Sequence, residues 1–206
     1  MTTAHDLTQP AQASQEPQPD SRVRLAATLG LAGAALSFVG WALMLANPAE
    51  GTALWYAGYA VGELAMIGTT ILVLGMFAVR ETGAGTTGRS FLALWALGQI
   101  LLLVAGIQAL IAGNQDTILF PIGGITASLA ALVASIFIAC NKRLRGSLRR
   151  WAPLIYTVGS FATGFFQGDE HTLKVNLADL TNNLLMLLLA GAFYVGVRAA
   201  GSAQTR

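Results

Sequence analysis

WYAGYAVGELAMIGTTILVLGMFAV, residues 55–79, carries a single acidic or basic side chain, Glu63. A run of this length and composition matches the roughly 17 to 25 residues that cross a bilayer as an α-helix. Five further runs of the same kind occupy residues 24–47, 90–113, 118–140, 151–167 and 180–197, the last two being the shortest. In hydrocarbon every backbone amide and carbonyl must find a partner within the chain, so such runs are helices. The sequence therefore predicts an all-α fold, a polytopic bundle of six transmembrane helices.

Composition agrees. The 206 residues are 54% hydrophobic and only 11% charged, whereas about a quarter of the residues in soluble domains are charged. The organisation expected is a polar, disordered tail over residues 1–21, a membrane domain over 22–200 and a short tail over 201–206. Residues 1–21 are rich in Gln, Pro, Ser and Thr, too poor in large apolar groups to offset ordering entropy. They carry acids and prolines and precede an apolar run longer than a signal h-region, so that run is expected to remain as the first span.

Orientation follows from the basic residues. Threaded through six spans, Arg22, Arg24, Arg80, Arg89, Lys142, Arg143, Arg145, Arg149, Arg150, Arg198 and Arg206 fall on one side, and only Lys174 falls on the other. Cytoplasmic loops retain basic residues, so both termini are expected in the cytoplasm, with the plasma membrane as the location. The net charge of +2 is then a mark of topology, and no nucleic-acid partner is expected. Lys142, Arg143, Arg145, Arg149 and Arg150 are dense enough to attract anionic lipid headgroups, although retention of the loop on the inner side explains them equally. Cys140, the one cysteine, reads as a buried small residue or, alternatively, as a palmitoylation site.

Small residues recur every four positions at Ala26, Gly30 and Ala34, at Gly58 and Gly62, and at Gly123, Ala127, Ala131 and Ser135. Close backbone approach replaces the hydrophobic drive between helices in lipid, so these stripes mark helix contacts, within the chain or in a homo-oligomer.

Glu63 is the residue whose chemistry asks for an explanation. At 1.5 Å per residue from Trp55 it lies about 12 Å below the outer interface, near the middle of the bilayer. Ionisable groups at that depth face the bundle interior and by default mark ion, proton or substrate sites. No Lys, Arg or His shares its depth, so a protonated or cation-bound carboxyl is expected. Tyr56, Tyr59 and Thr70 fall on the same helical face. Tyr156, Ser160, Thr163 and Gln167 form a second polar stripe on the fifth span, and Gln99 on the third lies at a depth to join them. Gln108, nine residues on, is half a turn out of phase.

Other motifs resolve without chemistry. Gly168 to His171 with Asp179 offers a single His, too few nitrogen or sulfur ligands for a borderline metal, so no metal or other cofactor is expected. Gly83 to Ser90 has P-loop spacing but Arg89 in place of lysine, and it joins two spans instead of a strand and a soluble helix. No serine, cysteine or threonine is paired with a base, which weighs against an enzyme.

The function expected is a small transporter or permeation protein, in which Glu63, Tyr59, Tyr56, Thr70, Gln99, Ser160 and Thr163 surround a midplane site for a proton, cation or small polar solute. The alternatives are a non-catalytic membrane subunit that binds a protein partner through its stripes and basic loop, and, further off, an intramembrane enzyme.

Overall fold

The apolar runs become helices. The computed structural model describes residues 20–83, 85–144, 146–164 and 173–202. They form α1 (Ser21–Met44), α2 (Ala53–Ala78), α3 (Thr86–Ala112), α4 (Leu119–Cys140), α5 (Ser147–Gly164) and α6 (Leu173–Ser202), with no strand among the described residues. Residues 1–19 of the expected tail, Arg145, the Gly168 to His171 segment and residues 203–206 lie outside them.

Local chemistry sets the ends. Thr52 caps α2 by accepting from the Trp55 amide, and Gly113, at φ 73°, closes α3 through a hydrogen bond from its amide to the Ala109 carbonyl. A left-handed C-terminal residue of this kind is a position where glycine carries no Cβ penalty. Several boundaries differ from the sequence expectation; α3, for one, begins at Thr86 instead of 90. α5 begins at Ser147 instead of 151, so Pro153, expected in a first turn, lies inside the helix. α6 begins at Leu173 instead of 180. Cys140 is exposed, which corrects the expectation of a buried small residue.

Five helices, α1 to α4 and the Asn176–Ala200 segment of α6, are long and apolar enough to cross a bilayer. Their outward faces are as apolar as their seams: Leu64, Ile67, Ile111, Ile125, Leu129 and Val195 are exposed. Helices that are apolar all round belong in hydrocarbon. The chain is a helical, multi-pass membrane protein.

The helices form a ring. Each packs on its neighbours in sequence and α6 returns to α1; across the ring, among the described residues, α2 and α6 touch slightly and the rings of Trp95 on α3 and Tyr156 on α5 stack. Neighbours run antiparallel, as paired positions show. Gly30 meets Leu72 and Gly58 meets Met44 between α1 and α2. Arg89 lies over the Phe77 ring between α3 and α2, Ser135 bonds Thr157 between α4 and α5, and Ser160 bonds Asn182 between α5 and α6.

Small residues set the closeness of these seams. A Cβ on Gly68 would stand 2.6 Å from the Leu29 carbonyl oxygen and 2.7 Å from the Gly33 Cα. Between α3 and α4, a Cβ on Gly123 would stand 3.0 Å from the Leu102 amide nitrogen, and one on Gly98 would collide with the Ala127 backbone. The stripes read from the sequence on α1 and α4 thus serve contacts within the chain. Gly62 differs, because a Cβ there would meet nothing within 4 Å.

One end of the ring is filled. Leu72, Val73 and Met76 of α2, Leu92 of α3, Ile138 of α4, and Leu189, Phe193 and Val197 of α6 form a buried cluster. It lies toward the end that carries the α2–α3 and α4–α5 loops, called here the basic end. Gly68→Val is predicted to lower the unfolding temperature in detergent, by overpacking worth about 1–3 kcal/mol. Gly191→Ala, where a Cβ meets nothing within 4 Å and a helix interior favours Ala over Gly, should not lower it.

Candidate functional site

Above the apolar plug the ring is hollow. A cavity of ≈ 640 Å³ is lined by residues from all six helices, from Ser37 on α1 to Met186 on α6. Its lowest lining residues, Thr69, Trp95, Ala131 and Thr157, lie nine or ten residues from the basic ends of their helices, about 14 Å in at 1.5 Å per residue. The cavity therefore occupies the middle of the bundle and part of the opposite half. Its volume is in the range of small-molecule sites, about 300–1,000 Å³.

Sequence pattern explains why these positions face inward. On α3, Trp95, Gln99 and Leu102 recur at four and three residues, and on α5 Tyr156, Ser160 and Gly164 recur at four, the spacing of one helical face. Among the described residues the wall is uncharged: no Asp, Glu, Lys, Arg or His lines it. It carries the carboxamides of Gln99, Asn182 and Asn183, the hydroxyls of Ser37, Thr69, Ser128, Thr157 and Ser160, and the rings of Trp95, Tyr156 and Phe161. Trp95 and Tyr156 stand nearly parallel, 14° apart with centroids at 6.2 Å.

The hydroxyl protons are largely committed within the protein. Ser37 donates to the Ala34 carbonyl at 2.7 Å, Thr69 to the Met66 carbonyl at 3.0 Å, Thr157 to the Pro153 carbonyl at 2.7 Å and Ser160 to Asn182 Oδ1 at 2.6 Å. Gln99 is 6% exposed, and its Oε1 has no partner among the described residues. An unsatisfied buried carbonyl costs about 1–3 kcal/mol.

Of the residues singled out from the sequence, Gln99 and Ser160 line this cavity, and Tyr156 of the second polar stripe joins them. Glu63, Tyr56, Tyr59, Thr70 and Thr163 are not among its lining residues. The Glu63 carboxylate lies in the α2–α3 seam, over the notch left by Gly106, where any Cβ would overlap it. Its Oε2 is buried without a hydrogen-bond partner among the described residues. Tyr59 stacks on Trp55, Tyr56 meets the edge of Trp55, and Thr70 and Thr163 donate to the Met66 and Ser160 carbonyls. Gln108 accepts from Thr117 at 2.8 Å on the exposed side. Asn182 and Asn183 also belong to the cavity wall, between two and three turns inside α6.

A second buried polar cluster sits at the basic end. Arg149, on the first turn of α5, bonds Glu81 Oε1 through Nε at 2.8 Å and through its terminal nitrogen at 2.7 Å, with side chains 6% and 1% exposed. Gly196 of α6 leaves room for the Arg149 stem, the Phe193 ring lies 6.0 Å from its guanidinium, and Asn141 donates to the Glu81 carbonyl. Arg149 thus departs from the headgroup role considered for it, because it is buried against Glu81, Phe193 and Gly196. Arg150 also turns inward, donating to the Ala139 carbonyl, while Lys142 and Arg143 are exposed.

No protein-family model, no curated protein and no solved structure matches the chain.

Removing one member of a buried ion pair leaves an uncompensated charge at a cost of about 3–5 kcal/mol. Glu81→Gln is predicted to destabilise the protein by that order in detergent unfolding. The double substitution Glu81→Leu with Arg149→Met should recover most of the loss.

Proposed function

We propose that this protein is a small transporter or permeation protein that holds a polar solute in the hollow centre of its ring. The observation that carries the reading is the ≈ 640 Å³ cavity with a wall drawn from all six helices. A scaffold that only recruits a partner gains nothing from such a space. Lipid-embedded bundles close their interiors when they can, because voids forfeit the van der Waals contact that holds helices together. A wall that mixes carboxamides, hydroxyls and aromatic rings instead suits a solute with both polar and apolar faces.

In this reading α5 is the sixth span. Its 18 residues extend about 27 Å, near the roughly 30 Å of hydrocarbon, and polar groups on its inner face lower its mean hydropathy without exposing them to lipid. The basic end lies in the cytoplasm, following the distribution of Lys and Arg, and the membrane is the plasma membrane. The packed cluster and the Glu81–Arg149 pair form the cytoplasmic seal, with the solute site on the outer side of it.

Gln99 takes the ligand role that depth alone assigned to Glu63. Glu63 packs α2 against α3 over the Gly106 notch. Flux of small polar solutes into proteoliposomes, followed by light scattering with urea, glycerol and acetamide, tests both statements. At least one solute should enter several-fold faster than into protein-free liposomes. Gln99→Leu should remove most of that excess, and Glu63→Gln should keep it within about twofold, the effect expected of a modest interhelical hydrogen bond. Equal flux with and without protein for all solutes would contradict the proposal.

A further inference from the structure

The geometry points to a solute class for the cavity: an uncharged, flat molecule with an amide-type edge, read by Gln99 and Asn182 and faced by the Trp95–Tyr156 pair. This inference rests on the reading of the cavity as a solute site, and it goes further by excluding ions.

Charge decides the first part. Among the described residues no side chain of either sign lines the cavity, and a full charge taken from water to the middle of a bundle without a counter-ion is strongly disfavoured. Glu63, the nearest candidate counter-ion in sequence depth, has its carboxylate over Gly106 in the α2–α3 seam and does not line the cavity.

Hydrogen-bond inventory decides the second. Ser37, Thr69, Thr157 and Ser160 spend their protons on protein acceptors, so they present lone pairs. Gln99 Oε1 lacks a partner among the described residues and adds another acceptor. A ligand that satisfies this oxygen brings a donor. Asn182 spends its Oδ1 on Ser160, which leaves its NH2 group to donate, so the ligand must also accept. A carboxamide offers donor and acceptor side by side in one plane, and a primary amide edge answers both requirements.

The aromatic pair decides the third. Trp95 and Tyr156, 14° from parallel with centroids 6.2 Å apart, line the lower part of the cavity and leave no room for a ring between them. A flat ligand therefore meets this pair from the cavity side, edge-on or in offset contact, the arrangements aromatic rings prefer.

Benzamide, benzamidinium and benzoate are nearly isosteric flat probes that differ in charge. Binding to the full-length protein in detergent, read by ligand-induced thermal shift and Trp fluorescence, should favour benzamide at least tenfold over both ions. Gln99→Leu should weaken benzamide about tenfold. Gln108→Leu, the same change on the opposite face of α3, should leave affinity unchanged. Gln99→Glu should move the preference toward benzamidinium, a reversal that a merely structural glutamine would not produce, and monodisperse elution of each variant confirms folding. If the ions bind as well as benzamide, or Gln99→Glu leaves the preference unaltered, the solute class is overturned while the cavity still binds solutes. If none of the three probes binds and no solute crosses proteoliposomes, the reading of the cavity as a solute site falls as well.

Discussion

Close backbone contact between helices is the constraint on which this structure depends. Lipid tails are as apolar as Leu, so burying large apolar side chains against one another gains little in a bilayer, and association rests on van der Waals fit. The chain meets that demand with Gly33 against Gly68 and Gly98 against Ala127. These contacts lie between sequence neighbours, which is why the helices close in order as a ring and why none needs to cross the centre.

A ring of six helices has an interior, and the sequence treats its two ends differently. Toward the basic end large side chains such as Leu72, Leu92, Ile138 and Phe193 fill it. Beneath them Glu81 and Arg149 pair out of water, an arrangement that contributes geometry more than net stability, since the desolvation of both charges offsets much of their attraction. Toward the other end Gly62, Gly124 and Ser128 face the space, and their small size keeps it open. The polar wall of the cavity and its apolar seal thus follow from residue size and hydrogen-bonding capacity at a few inward positions.

Much of this was legible in the sequence. Uncharged runs gave the helices to within a few residues, and four-residue stripes of Gly and Ala on α1 and α4 marked seams that the structure contains. The stripe on α2 was only partly so: Gly58 meets Met44, whereas Gly62 looks into the cavity. Gln99 and Ser160 were found because depth and helical phase are one-dimensional quantities. Which of two polar groups at equal depth faces the centre depends on the rotation of each helix, which its neighbours set. Glu63 and Gln99 exchange prominence for that reason. The pairing of Glu81 with Arg149, 68 residues apart, left no local trace, since each reads singly as a loop charge.

The central claim is that the ring encloses a space reached by water, and reactivity of adjacent cysteines tests it most directly. Ser128 lines the cavity, while Leu129, one residue on, is exposed on the outer surface. In a Cys140→Ser background, Ser128→Cys and Leu129→Cys place thiols at nearly the same depth. The thiol in water ionises and reacts, and the one in hydrocarbon does not. In liposomes, methyl methanethiosulfonate should modify the thiol at 128 at least tenfold faster than that at 129. Equal rates at the two positions, or a faster reaction at 129, would contradict the account.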